Sequence, residues 1–529
     1  MGFFRFRIDD HQASATSDTP IQESRSRSRI LTIAVLSLLT LVYFWTSISL
    51  ARNTPLSVGE VCVLDILRYF SPGHVVDALK LGLDTPPPGF FWLLDGFCRI
   101  FGQTPLAIRL PSILGFYMFS VSVYLLLRKR VQWPIAVFAS FLTCVTGAAY
   151  SSTNARPFAI VVGCFGLAAV AWADFPLSKH HKVRVLITIL ALAIATGVHF
   201  LAVYLVGALA IAELFRTLLD RKIQWSYWGG LIVGPAMLLL WLPVIGPIYR
   251  LTHASIHAAG YYAKPTPSSL LVFFLQVVLD ARIERIDILL AVILIPLMLV
   301  LVSPKKYLGW LSSHICVPST EYDNDYRDLY ILAVSAFSLP FIAFAFAALV
   351  TGTFNERYFI AAVLGVVLLA ARGLNTLRCG VLLACILMVV DIGLLVRQSL
   401  HTVPGSDARI TLIQNAPESL PVVPSYFDDY LELSEALPST LRNRIAYVEM
   451  PVGYSSPDPE PDLISRNWNS AIPSLPIYTA EHWFGKTKVF YVLCTDDGRS
   501  GLSDWLIAHA RTQPVKHVGN DWLFRVDVP

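Results

Sequence analysis

Two carboxylates and four basic side chains carry the chemistry that can be read from this chain. Glu60 closes S-V-G-E (57–60), and Asp84 opens D-T-P-P-P-G-F-F-W-L-L (84–94). Both fall in the stretch between the first two long apolar runs. Each adjoins a chain-breaking element, Gly59 before Glu60 and Pro86, Pro87 and Pro88 after Asp84. Consecutive prolines set φ and remove backbone donors, so the segment after Asp84 reads as a rigid bend. A carboxylate held near lipid headgroups suits general-base work, because partial desolvation raises its pKa toward neutrality. Glu60 is the candidate base. Asp84 could position it, contact a hydroxyl, or cap the bend.

The four basic residues are Arg156 in Y-S-S-T-N-A-R-P-F (150–158), Arg357 in F-N-E-R-Y-F (354–359), His199 between two closely spaced apolar runs, and Lys264 in Y-Y-A-K-P (261–265). An arginine fork fits a phosphate bidentately, and such charge-assisted contacts are stronger than neutral ones. Taken singly, each has a plainer reading. Either arginine can snorkel to headgroups, Arg357 can pair with Glu356, and His199 can be a packing residue. Taken together at one height beside two carboxylates, they read as an anion-binding site. E-Y-D-N-D-Y-R-D (321–328) contains an acidic triplet of metal-binding type, but it falls at the opposite membrane face and reads as a solvated linker. No C-x-x-C occurs among the eight cysteines, so neither zinc nor redox chemistry is signalled. Cys62 and Cys98 share the opening loop, and a disulfide between them is open.

What positions these residues is a membrane. Of 529 residues, 55% are hydrophobic and 15% charged, against about 25% charged in soluble domains. Apolar runs at 30–50, 106–127, 132–150, 157–174, 185–198, 200–216, 227–247, 286–303, 329–351, 357–373 and 377–396 predict about eleven spans of a polytopic α-helical protein. The segment 269–281 is too short to cross and reads as re-entrant or interfacial. Within the opening loop (51–105), 61–70 and 88–101 are amphipathic and predict interfacial helices. The run at 30–50 is too long for a signal-peptide core and reads as an uncleaved span.

Charge sets the orientation. Residues 1–396 hold 30 Lys/Arg and 21 Asp/Glu, and residues 397–529 hold 11 and 16. With the tail 1–29 cytoplasmic, 19 of those 30 basic residues fall in cytoplasmic segments, as the positive-inside rule requires. The basic excess is therefore topological and excludes nucleic acid as the partner it would otherwise suggest. An odd span count puts the opening loop and the C-terminal part outside. The chain divides into the tail (1–29), a transmembrane module (30–396) and an extracytoplasmic α/β domain (397–529). In the last, 444–450, 488–494 and 522–528 predict strands, and 501–511 a helix with Ser503 as N-cap.

The order of these motifs resembles the GT-C superfamily of polyprenyl-phosphate-sugar-dependent glycosyltransferases, which includes protein O-mannosyltransferases and the lipid A aminoarabinose transferase. That family has an acidic residue in a long first outer loop, matched by S-V-G-E (57–60), then acid-x-[His/Lys]-Pro-Pro-x-aromatic-aromatic, matched at 84–94. Its Tyr-Ser-x-Glu-Ala-Arg-x-aromatic-Ala is matched by Y-S-S-T-N-A-R-P-F-A (150–159), its late Arg-Tyr by Arg357-Tyr358, and the start of its outer domain by P-V-V-P (421–424). The chain departs at Gly59, where the family often has Asp, at Pro86 for His or Lys, and at Asn154 for Glu. The resemblance implies inverting transfer of a sugar from a polyprenyl-phosphate donor to an extracytoplasmic acceptor. Glu60 and Asp84 would be catalytic, and Arg156, Arg357, His199 and Lys264 would hold the donor phosphate. No cofactor or divalent metal is implied. A transporter of a lipid-linked anion and a non-catalytic subunit of glycan assembly are the rival readings.

Overall fold

The computed structural model describes residues 19–176, 179–256, 263–278, 324–401, 408–417, 419–450, 460–494 and 501–529. The first part is helical: α1 (Thr19–Asn53), α2 (Val58–Tyr69), α3 (Val75–Lys80), α4 (Pro88–Phe101), α5 (Pro105–Leu127), α6 (Trp133–Leu142), α7 (Phe158–Ala173), α8 (His181–Val198) and α9 (Val203–Asp220). Helices Trp225–Val233 and Leu242–Ile256 follow, joined by a 3₁₀ stretch, and then Pro267–Phe273, Asn324–Phe346, Ala362–Thr376 and Gly380–His401.

Seven helical stretches of the described residues are long and apolar enough to cross a membrane. The bent pair Trp133–Val145 and Gly147–Thr153, 69° apart, makes an eighth if it is one span. Two further apolar helices expected as spans are short, α7 with 16 residues and Ala362–Thr376 with 15. The run expected at 286–303 lies outside the described residues. The segment expected to be too short to cross is the helical stretch Pro267–Val278.

The bundle centres on α5 and α7. They cross where two glycines face each other: a Cβ on Gly163 would stand 2.2 Å from the Gly115 carbonyl oxygen, and one on Gly115 2.6 Å from the Ile160 Cα. Only hydrogen fits there, so the backbones touch, and Phe116, Phe119 and Phe165 close around the crossing with no exposed surface.

The opening loop is three helices, α2, α3 and α4, with the proline bend before the last. Pro88 sits at the first turn of α4, where a missing N–H costs nothing and φ is already helical. Phe90, Phe91 and Leu94 are fully buried while Trp92, Ile100 and Phe101 are exposed, the amphipathic pattern expected from the sequence. Gly59 is not a chain breaker: it is the second residue of α2. Cys62 and Cys98 are both free thiols.

The described C-terminal residues form a four-stranded sheet in the order β1 (Val422–Pro424), β4 (Val489–Cys494), β6 (Asp521–Asp527), β5 (Arg511–Val518), with β1 parallel to β4 and the rest antiparallel. A separate parallel pair joins β2 (Tyr447–Val448) to β3 (Ile477–Tyr478). The three expected strands are present, the first cut to two residues. The expected helix runs Gly501–His509, so Ser503 lies inside it rather than capping it. The strand β5 carries no alternating apolar pattern because it is the sheet's edge, where Pro514 is tolerated. Gly519 (φ +60°) supplies the left-handed residue of its hairpin to β6.

This unit docks on the opening loop. Arg68 of α2 donates to both Glu435 oxygens (2.6 and 2.9 Å), and the Val58 N–H donates to Glu432 (2.9 Å). Loop and C-terminal sheet therefore share one end of the bundle. The opposite end carries a buried charge network. Glu213 and Arg216 pair with each other, and the Trp172 indole donates to Glu213 (2.9 Å). Arg327 bridges Asp220 (2.7 Å) and Asp328 (3.1 Å). Asp328 is only 6% exposed, which corrects the reading of 321–328 as a solvated linker. From Asn324 onward it is the start of a span, and its charges lock three helix ends; residues 321–323 lie outside the described residues.

Candidate active site

Glu60 is the third residue of α2, and its carboxylate reaches back to the Ser57 N–H (3.0 Å), half of a capping box. The same carboxylate takes a bidentate pair from Arg109, at 2.6 and 2.7 Å, and a backbone donor from Ala155 at 2.7 Å. The Ser57 hydroxyl adds a fifth contact at 3.1 Å. Arg109 spends its remaining N–H groups on the carbonyls of Ala51, Thr54 and Pro55. All five guanidinium donors and the lone pairs of both carboxylate oxygens are thus committed, and both side chains are 1% exposed. Glu60 was expected as a base at headgroup height. It is instead one half of a saturated internal latch that fastens the end of α1, the start of α2, α5 and the 150–156 segment together. Arg109 was hidden in the sequence as the first-turn arginine of an apolar run, and S-V-G-E was legible as a capping box.

The second carboxylate is differently placed. Asp84 pairs with Arg156 at 2.8 Å (Oδ2) and 3.2 Å (Oδ1), and Oδ1 also accepts the Thr85 N–H at 2.7 Å. Oδ2 accepts once, so it keeps a lone pair. Arg156 donates once more, to the Gly59 carbonyl at 3.1 Å, leaving two of its five N–H groups uncommitted. Arg156 is 19% exposed and Asp84 7%. Gly59 makes room for this pair: a Cβ there would stand 3.2 Å from the Arg156 guanidinium. The arginine's backbone is pinned by the Ser112 hydroxyl of α5, which donates to its carbonyl at 3.1 Å. Beside it, the Asn154 side-chain oxygen is buried with no partner among the described residues.

Next to this pair is a cleft with about 300 Å³ of empty space, lined by Phe158, His199, Arg357 and Tyr358 among others. The rings of Phe158, His199 and Tyr358 stand 5.2–5.9 Å apart, centroid to centroid. Arg357 lies in the 3₁₀ turn Glu356–Phe359, and its exposed guanidinium has no hydrogen-bond or ion-pair partner among the described residues. Lys264 is exposed and does not line the cleft. It follows Ala263, whose carbonyl accepts from Phe354 at 2.8 Å, so it flanks the Arg357 turn from outside.

His199 is not the cation expected. Burial first, and Arg156 second, push its pKa down to about 3. Its Nδ1 accepts the Leu201 N–H at 3.0 Å, so in the neutral ring the proton sits on Nε2, which can donate one hydrogen bond. A pKa lowered from 6.5 to about 3 means the unfolded chain binds a proton the folded chain refuses. The stabilising contribution is whole above pH 6.5 and is lost progressively toward pH 3. A thermal-unfolding series from pH 7.5 to 4.5 shows a falling midpoint, and His199→Gln flattens the fall. An unchanged slope in that variant removes His199 from the linkage.

Of the expected residues, the structure brings Asp84, Arg156, His199 and Arg357 to one place, puts Lys264 at its margin, and withdraws Glu60 into the latch behind it. The cleft offers an arginine with no side-chain partner among the described residues and a neutral histidine donor; the Asp84–Arg156 pair does not line it, but Arg156 stands close enough to act on His199.

The family described as dolichyl-phosphate-mannose-protein mannosyltransferase matches residues 85–246, a segment holding Arg109, Arg156 and His199. No curated protein matches the chain in sequence. In fold it is similar to ArnT from Cupriavidus metallidurans bound to undecaprenyl phosphate, with a TM-score of 0.54 and 11% identity over 93% of this chain and 97% of that one. It is similar to the same protein in the apo state, with a TM-score of 0.54 and 10% identity over 95% and 98%. The chain thus has the fold of ArnT along nearly its whole length, and the first half of its helical bundle is similar to the mannosyltransferase family.

Proposed function

We propose that this protein is an integral-membrane glycosyltransferase that moves a sugar from a polyprenyl-phosphate donor to an acceptor hydroxyl, at the membrane face carrying the opening loop and the C-terminal sheet. By the distribution of basic residues that face is extracytoplasmic. The observation that carries the reading is the exposed Arg357 guanidinium, without a side-chain partner among the described residues, in an aromatic cleft near the Asp84–Arg156 pair. In a site so placed, an arginine without a carboxylate partner is suited to an anion that arrives with the substrate.

The donor phosphate sits between Arg357 and the two spare N–H groups of Arg156, with the His199 Nε2–H as a neutral third donor. Asp84 takes the base role first assigned to Glu60, because Oδ2 has a lone pair to receive a proton. The acceptor hydroxyl gives its proton to Oδ2 as its oxygen attacks the anomeric carbon. The bond from that carbon to the phosphate oxygen breaks on the opposite side, which inverts the configuration. The leaving phosphodiester becomes a monoester, and charge grows on oxygens already facing arginines that need not move. The two arginines supply the counter-charge, so the scheme invokes no divalent ion.

Reconstitution with a panel of labelled polyprenyl-phosphate sugars tests this directly. Arg357→Ala weakens donor binding by about ten- to a hundredfold, the range for a charge-assisted hydrogen bond, with folding unchanged because its exposed guanidinium bonds none of the described residues. Unaltered donor affinity in that variant would show that the cleft is not the phosphate site.

A further inference from the structure

A second and larger cleft opens at the same end of the bundle. It has about 840 Å³ of empty space, partly open to solvent, between the last turns of α1, the 144–153 segment and the last turns of the helix Gly380–His401. It shares no lining residue with the arginine cleft, and no Lys, Arg, His, Asp or Glu lines it. Its walls are hydroxyls.

Five of its eight hydroxyls have spent their protons on the backbone, and Gln398 adds an amide. Tyr43 donates to the Ile113 carbonyl at 2.7 Å, Thr46 to Val42 at 2.9 Å, Thr146 to Thr143 at 2.8 Å, Ser152 to Ala149 at 2.7 Å and Thr153 to Tyr150 at 3.2 Å. A hydroxyl has one proton and two lone pairs. Each has committed its proton to the backbone, so what these five leave uncommitted is acceptor capacity. A phosphate or carboxylate, which only accepts, finds no partner in them. An uncharged group whose every hydroxyl can donate finds several. Asp391 reinforces this. It lies one turn before Leu395 and two before Gln398 on one helix face, both of which line the cleft. It is 2% exposed and makes no hydrogen bond or ion pair with the described residues. A carboxyl buried without a partner at membrane depth is a further acceptor waiting for a donor.

The cleft is tied to the reacting pair through one segment. Thr153 lines it, Ala155 holds Glu60, and Arg156 holds Asp84. Arg109 fixes its other wall through the carbonyls of Ala51 and Thr54. We propose that this cleft seats an uncharged, hydroxyl-rich saccharide portion of the acceptor, selecting it with neutral hydroxyls and an amide and no charged side chain. The inference rests on the glycosyltransferase reading and names the acceptor class for it.

The test is saturation-transfer NMR on the full chain in lipid nanodiscs, without sugar-based detergent, using neutral methyl hexosides as probes and inorganic phosphate as the competing anion. The methyl hexosides bind, and phosphate does not displace them. The triple variant Thr46→Val, Thr146→Val, Thr153→Val keeps side-chain shape but removes three acceptors, and weakens binding by tenfold or more, at about threefold or more per hydroxyl. Ala149→Leu fills the cleft without touching a hydroxyl and abolishes binding. Hexoside binding that survives both variants, or that phosphate displaces, overturns the assignment. Asp84→Asn binds the hexosides as the parent does. Hexoside binding by a parent chain that transfers no sugar sinks the enzymatic reading and spares the cleft, while transfer by the parent chain without hexoside binding does the reverse.

Discussion

Asp84→Asn lowers the turnover of sugar transfer by about 10²–10⁴-fold, the usual contribution of a positioned general base. Asparagine preserves the shape and still accepts from Arg156, but it cannot take a proton. Donor binding is kept or tightened, since an arginine released from its carboxylate has more of its charge to offer a phosphate. The expected signature is therefore a fall in kcat with KM for the donor level or lower. Asp84→Glu restores part of the rate. A variant in which kcat is untouched, or in which KM alone rises, means that Asp84 only positions Arg156, and the base must be sought elsewhere.

Glu60→Gln has its large effect on folding. It leaves the Arg109 guanidinium, 1% exposed, without a counter-charge in a dry site, and breaking a buried pair from one side costs about 3–5 kcal/mol. The unfolding midpoint in detergent drops accordingly, and residual transfer follows the folded fraction. Removing both partners, Glu60→Met with Arg109→Leu, recovers part of that loss, because two desolvated charges disappear together while the carbonyls of Ala51, Thr54 and Pro55 and the N–H groups of Ser57 and Ala155 lose their partners. A double variant that is stable yet inert would return Glu60 to the chemistry; one that is stable and active confirms the latch. The pair thus separates two carboxylates that look alike on paper: loss at Asp84 is read in rate, loss at Glu60 in stability.

The contrast between the two acids shows where information in the chain is local. The apolar runs, the proline-started α4 and the amphipathic faces of α2 and α4 follow from residues within a few turns of one another. Hydrophobic spacing and φ constraints act over that range, so they are legible without a fold. The basic residues at 156, 199 and 357 were legible as a group because membrane sidedness is itself a linear property of charge along the chain. Sheet edges were less so: β5 has no alternating pattern because one side of it pairs and the other does not.

The role of each site residue is another matter. Glu60 meets a guanidinium 49 residues on and an amide 95 residues on. Those contacts saturate it, and no spacing rule announces them. His199 loses its charge to burial and to Arg156, neither of which the residue type carries. The hydroxyl-lined cleft draws on three segments separated by about a hundred or more residues each, and how many acceptors it offers depends on which carbonyl five of its hydroxyl protons have found. Residue types and their order were enough for the fold class, a polytopic helical bundle with a small C-terminal α/β unit. Which carboxylate keeps a free lone pair, and which arginine a free hand, is settled by desolvation and hydrogen-bond saturation, and these exist only once distant parts of the chain have packed.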